Sequence, residues 1–202
     1  MDKNYWDKIY RSKSEEEVSW YQEIPARSLE LIAELELGFQ ESIIDIGGGE
    51  SLLVDHLLAK GFKNISILDI SSAALERARA RLSENSKCVK FIVSDIRKFD
   101  PPEKYKLWHD RATFHFLTSV EDVSMYLEIA NRAIASDGYL IVSTFSKTGP
   151  EKCSGLTISQ YSDADLKTLF EKYFDNIRCF EDTHKTPWGT GQNFVYCGFK
   201  KK

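Results

Sequence analysis

The segment Ser42-Ile-Ile-Asp-Ile-Gly-Gly-Gly-Glu-Ser-Leu-Leu53 constrains the fold of this chain more than any other stretch. Ile43, Ile44 and Ile46 are β-branched and suit a buried strand. Gly47, Gly48 and Gly49 permit a sharp turn and let a ligand approach the backbone closely. Ser51 opens a helical pattern, whose first N–H groups suit a polar or anionic ligand. Strand, glycine turn and helix in this order predict a nucleotide-type cofactor site at the carboxyl end of the strand. A tight turn without a ligand is the alternative, because Leu52 stands where G-x-G-x-x-G wants its last glycine.

Two acids downstream favour the ligand. Ile65-Ser-Ile-Leu-Asp69 reads as a second strand ending in a carboxylate about twenty residues past the glycines, the position that grips ribose hydroxyls. Val89-Lys-Phe-Ile-Val-Ser-Asp95 reads as a third strand, whose terminal acid can accept from an adenine amine.

Through Asp45-Ile-Gly-Gly-Gly49, Leu68-Asp69-Ile70-Ser71 and Ser94-Asp95-Ile96, the chain resembles the class I S-adenosylmethionine-dependent methyltransferases. The resemblance runs from Asn4 to the last strand. It implies that Asp45, Gly47 and Gly49 surround the methionine part of the cofactor. It places the ribose at Asp69 and the adenine at Asp95 with Ile96, with Ile70 joining the cofactor set. Many members carry a further glycine where this chain has Ser51.

Periodicity supplies the frame. Helices are predicted over 27–37, 51–60, from Ser71 or Ser72 through Leu82, 121–135, and from a Ser162/Asp165 cap to near Tyr173. Strands are predicted over 42–46, 64–69, 88–94, 105–109, 139–145, 176–181 and 193–199. The alternation predicts an α/β, doubly wound, mostly parallel sheet with right-handed crossovers. Only the loop Thr186-Pro-Trp-Gly-Thr-Gly191 separates the last two strands, so they should pair antiparallel. The resemblance implies seven strands with one reversed, in a Rossmann-like methyltransferase fold. Residues 1–202 read as one domain, with 1–25 as a cap and 26–202 as the core.

Composition bounds the partners. The 202 residues are 42% hydrophobic and 29% charged, which is ordinary for a globular protein. A formal charge of −4 disfavours a nucleic-acid partner, which would want a basic face. Cys88, Cys153, Cys179 and Cys197 form no C-x-x-C pair, so no metal site is expected. Without a signal peptide or an apolar run of membrane-spanning length, reduced thiols in a cytoplasm are expected, with Cys88 and Cys197 in core strands.

Two segments bear on chemistry. Leu107-Trp-His-Asp-Arg-Ala-Thr-Phe-His-Phe-Leu117 follows the fourth strand, where the resemblance brings the acceptor to the transferable methyl. His109 and Asp110 are the candidate catalytic pair. Arg111 joins the cofactor set or pairs with Asp110, and His115 could serve as a base or sit in the core. Nearer the start, Trp6 and Tyr10 are one helical turn apart, and Trp20 and Tyr21 follow. This spacing resembles the entry segment of methyltransferase-like proteins that modify lysines of elongation factors, whose aromatics line the cofactor. A sulfonium also suits an electron-rich ring face. Packing on the core would use the same residues.

The leading expectation is an S-adenosylmethionine-dependent methyltransferase, with S-adenosylhomocysteine as product. Its acceptor would be a small molecule or a protein lysine. A nicotinamide-dependent oxidoreductase and a catalytically silent cofactor-binding module are the alternatives. The missing glycine and the terminal hairpin count against the oxidoreductase.

Overall fold

The computed structural model describes residues 2–202. Five parallel strands lie at its centre: β1 (Ser42–Ile46), β2 (Asn64–Asp69), β3 (Val89–Val93), β4 (Tyr105–Arg111) and β5 (Ile134–Phe145). A two-stranded hairpin, β6 (Lys152–Cys153) and β7 (Leu156–Thr157), follows in the loop after β5. The long strands β8 (Phe174–Lys185) and β9 (Gly191–Lys201) then complete the main sheet. Among the described residues its order is β3-β2-β1-β4-β5-β9-β8, with β9 antiparallel to both neighbours. This is the expected seven-stranded, doubly wound sheet. A dinucleotide fold of the oxidoreductase type would place a parallel strand where β9 runs in reverse.

Among the described residues, six α-helices accompany the strands: α1 (Lys3–Ser12), α2 (Ala26–Glu34), α3 (Leu53–Ala59), α4 (Ser72–Leu82), α5 (Val120–Ala133) and α6 (Asp163–Phe170). Ser71, Ser119 and Ser162 cap α4, α5 and α6 by accepting the N–H of Ala74, Asp122 and Asp165. Ile43, Leu107 and Ile141 pack with Leu31, Leu53, Leu57 and Leu75, so α2, α3 and α4 cover one face of the sheet. Ile44, Trp108 and Val142 pack with Tyr126, Ala130, Leu166 and Phe170, so α5 and α6 cover the other. Both faces are apolar, as a parallel sheet requires.

Several boundaries differ from expectation. α2 stops at Glu34, ahead of Gly38, because Glu36 turns the chain at φ 48°. The expected turn at Asp137-Gly138 is a bulge inside β5, where pairing jumps from Tyr105–Ile134 to Leu107–Tyr139. β8 and β9 are longer than predicted, since their cross-strand pairing continues toward the tight turn at Gly189.

The cysteine expectation is corrected at two points. Cys88 ends a short 3₁₀ segment and is exposed, not core. Cys179 and Cys197 are register partners on β8 and β9 and are joined as a disulfide, not held as thiols. No helix among the described residues is long and apolar enough to cross a membrane. Alkylation of the denatured, unreduced chain should therefore label Cys88 and Cys153 alone. Reduction should lower unfolding stability by about 3 kcal/mol, the scale for a loop of this size. Labelling of all four cysteines would overturn the bond.

Candidate functional site

Alternation along the strands decides which polar side chains meet. In β4, Leu107, His109 and Arg111 project to one face, and Trp108 and Asp110 to the other. Asp45 of β1 is in register with His109 and shares its face. Asp69 shares that face too, two residues beyond Ile67 on β2. At the carboxyl ends of these strands lies one cavity, lined by Asp45, Asp69, His109 and Arg111 among others.

The glycine turn forms its floor. Gly47 adopts φ +62°, and a Cβ there would lie 1.8 Å from Thr113 Oγ1. That hydroxyl donates to the Ile46 carbonyl at 3.1 Å, which ties the turn after β4 to the end of β1. Gly49 adopts φ +49°, and its missing side chain leaves room for the Tyr10 hydroxyl and the Asp69 carboxylate. Gly47 and Gly48 line the cavity.

Asp69 is the acid at the centre of the cavity. Its Oδ1 accepts the Ser71 N–H at 2.7 Å. Burial pushes its carboxyl up to about 7; the Ser71 N–H pulls down, and the charges of Asp45 and Asp7 push further up. Asp45 is at least as buried, and its Oδ1 lies 2.7 Å from His109 Nδ1. The opposite ring nitrogen, Nε2, lies 2.8 Å from Ser28 Oγ on α2. Both nitrogens of His109 are thus engaged in a buried Asp45–His109–Ser28 row.

The N-terminal aromatics form a wall. Trp6, Tyr10, Trp20 and Tyr21 all line the cavity with Phe116. Ring centroids are 6.0 Å apart for Trp6–Trp20, 6.2 Å for Tyr10–Trp20 and 5.2 Å for Trp6–Phe116. Trp6 and Tyr10 also pack on Ala73 and Ala74 of α4, so packing and cavity lining are one role here. The Trp6 indole Nε1 is buried without a partner. A buried acid, an unpartnered donor and a floor with no side chains fit a polar, adenosine-like ligand along β2 and β1.

Two sequence expectations need correction, and for His115 the core alternative holds. Asp110 is fully buried on the far face. It accepts from the Thr113 and Phe114 N–H groups at 3.0 and 3.2 Å and from the Tyr126 hydroxyl at 2.8 Å. It holds the turn after β4 and does not reach the cavity. His115 is buried against Phe145, stacked at 4.8 Å, and burial together with nearby Arg111 drives it down to about 3. It cannot take a proton near neutrality. Arg97 engages both oxygens of Asp95, at 3.0 and 2.6 Å, and Ser94 and Ile96 line the cavity in its place. Ile70 lines the cavity as well.

Ser28, Glu50 and Thr113 are cavity residues that the sequence reading missed. Thr113 lies within a segment singled out for other residues. Ser28 carries no local signal, because only the packing of α2 on the sheet brings it to His109.

Residues 39–189 match the sequence profile of a family described as "Methyltransferase domain". The ubiquinone biosynthesis O-methyltransferase of Rickettsia conorii is 27% identical over 119 residues, covering 59% of this chain and 40% of that protein. The eEF1A lysine and N-terminal methyltransferase of Bos taurus is 22% identical over 141 residues, covering 68% of this chain and 20% of that protein. The chain therefore spans less than half the length of these curated relatives. In fold, it is similar to the N-methyltransferase NodS of Bradyrhizobium japonicum, solved in complex with S-adenosylhomocysteine. That match has a TM-score of 0.74 at 14% identity and covers 99% of both chains.

The placement of Asp110 is testable by unfolding. Asp110→Ala leaves two N–H groups and the Tyr126 hydroxyl without their acceptor. It should lower stability by about 1–3 kcal/mol, read in urea or by calorimetry. Wild-type stability in this variant would contradict a structural role.

Proposed function

The chain belongs to the methyltransferase-domain family, and we propose from that membership and from the cavity that it is an S-adenosylmethionine-dependent methyltransferase. The observation that carries the reading is the buried Asp69 carboxylate, which faces the cavity at the end of β2 behind a glycine turn. We read residues 1–202 as one methyltransferase domain, with 1–25 as its cap.

We assign the ribose hydroxyls to Asp69, and the adenine to Ile70, Ser94 and Ile96. The methionine part is assigned to Asp45 and the Gly47–Gly49 turn. Trp6, Tyr10, Trp20 and Tyr21 are proposed to exclude water from the same space. When bound, the cofactor supplies a methyl group on a sulfonium, a reactive centre that needs alignment more than activation. The protein's part is then to hold an acceptor in line with that methyl. With both ring nitrogens engaged, His109 is proposed as a positioning residue that orients Asp45, in place of the base first expected. For location we keep the cytoplasm as the proposed compartment. The Cys179–Cys197 bond is the observation against it, and alkylation in intact cells before lysis decides.

Two measurements test the assignment. Ionised Asp69 accepts best from hydroxyls, and in the free protein it titrates at about 7. S-adenosylhomocysteine affinity should therefore rise as pH goes from about 6 to about 8, with proton release on binding. The stability term has the opposite sign. Raised above its unfolded value, the Asp69 carboxyl stabilises the unliganded fold at low pH and ceases to as pH rises through about 7. Asp69→Asn should flatten both profiles and weaken binding by about 1.5–3 kcal/mol. Tight, pH-independent binding by the variant would overturn the ribose assignment.

His109→Gln separates positioning from base catalysis. As a positioning residue, it should lower S-adenosylhomocysteine affinity and turnover together. A general base would instead cut turnover alone, by about 10²–10⁴-fold.

A further inference from the structure

Arg111 is the cation of the cavity wall, and its bonding is incomplete. Its Nη1 donates to the Trp20 carbonyl at 3.0 Å. Its Nε and Nη2 are buried with no hydrogen-bond partner. These two atoms form the edge of the guanidinium whose N–H bonds run parallel, the edge that takes a carboxylate or phosphate two-pronged. Leaving charged donors buried and unpaired is costly, so such an edge calls for a ligand.

Among the described residues, Arg111 meets the Trp20 carbonyl and the Phe194 ring, and no carboxylate accepts from Nε or Nη2. Its charge is felt by His115, His184 and Cys153. Burial lowers the two histidines to about 3 and about 4, and raises the thiol to about 12, so all three are neutral at pH 7. Four acids line the cavity with it: Asp45 lies 2.7 Å from His109, Glu50 pairs with Arg77 at 3.0 Å, Asp69 accepts the Ser71 N–H at 2.7 Å, and Glu15 makes no hydrogen bond to the open guanidinium edge.

Arg111 and Asp69 line the same cavity from strands two places apart. Asp69 ends β2, and β1 lies between β2 and β4. From the end of β4 the guanidinium leans the other way, 5.0 Å from the centroid of Phe194 on β9. Trp6, Trp20 and Phe116 line the same cavity as this edge.

We propose that Arg111 is a specificity-determining residue that recognises a carboxylate on the methyl acceptor, whose flat apolar body lies against Trp6, Trp20 and Phe116. This rests on the methyltransferase reading above. It names the acceptor class as a small aromatic or apolar carboxylic acid, and it disfavours a lysine side chain, whose ammonium would meet an unneutralised guanidinium.

Benzoate, phenyl phosphate and benzamide are titrated calorimetrically into the full chain, with and without saturating S-adenosylhomocysteine. Benzoate should bind at least about ten-fold tighter than its neutral isostere benzamide, as charge-assisted bonds require. Arg111→Gln and Arg111→Lys should both lose most of that preference, Lys because it keeps the charge but not the fork. Both should bind S-adenosylhomocysteine within about three-fold of wild type, a difference under 1 kcal/mol. Equal binding of benzoate and benzamide by the wild type overturns the proposal without any variant. A preference surviving in both variants overturns it too. Parallel loss of S-adenosylhomocysteine affinity assigns Arg111 to the cofactor instead, and tighter phenyl phosphate overturns the carboxylate. Failure of the wild type to bind S-adenosylhomocysteine, with the benzoate preference intact, would sink the methyltransferase reading and leave the anion site standing.

Discussion

The register of β1 against β4 is the constraint on which the site depends. Asp45 pairs with His109, and Ile46 with Asp110, so one column of side chains is polar on one face and the next is committed to the opposite core. A slip of β4 by one residue would carry His109 into the apolar layer under α5 and bring Asp110 to the cavity beside Asp45. The register is held on both sides. Ile43 and Leu107 pack beneath α2 and α3, and Ile44 and Trp108 pack beneath α5 and α6. Thr113 then closes the turn after β4 onto Ile46. Core packing on two faces thus aligns the polar column.

Charge is divided across the cavity. Asp45 and Asp69 stand on β1 and β2, whereas Arg111 leans from β4 toward β9. The acids suit the hydroxyls and amino group of a cofactor, and the cation suits an anion from the other side. Burial strengthens both halves, because fewer waters screen the groups. The same burial silences His115, whose ring is reduced to an apolar surface against Phe145.

The N-terminal segment is bound into this arrangement at its own base. Asp7 on α1 accepts the Ser71 hydroxyl at 2.7 Å, and Ser71 donates its N–H to Asp69. Arg77 on α4 donates to the Tyr10 carbonyl at 2.5 Å. The helix carrying Trp6 and Tyr10 is therefore fastened to the same loop that presents Asp69. A cap of this kind couples the aromatic wall to the β2–α4 turn, so movement of one strains the other.

Much of this was legible in the chain. Strand and helix order, the glycine turn and Asp69 follow from local chemistry: β-branched runs, residues that tolerate positive φ, serine caps and an acid at a strand end. The antiparallel end of the sheet was legible too, because a short loop cannot return a chain to a parallel strand. What sequence could not assign was the direction of polar residues that are neighbours in the chain. His109 and Asp110 read as a catalytic pair, but strand alternation sends them to opposite faces. Cys179 and Cys197 read as thiols, because only the β8–β9 register brings them together. Ser28 and the open edge of Arg111 depend on packing between elements distant in sequence. Local propensity determined which elements form, and the tertiary register alone decided which of their side chains share a cavity.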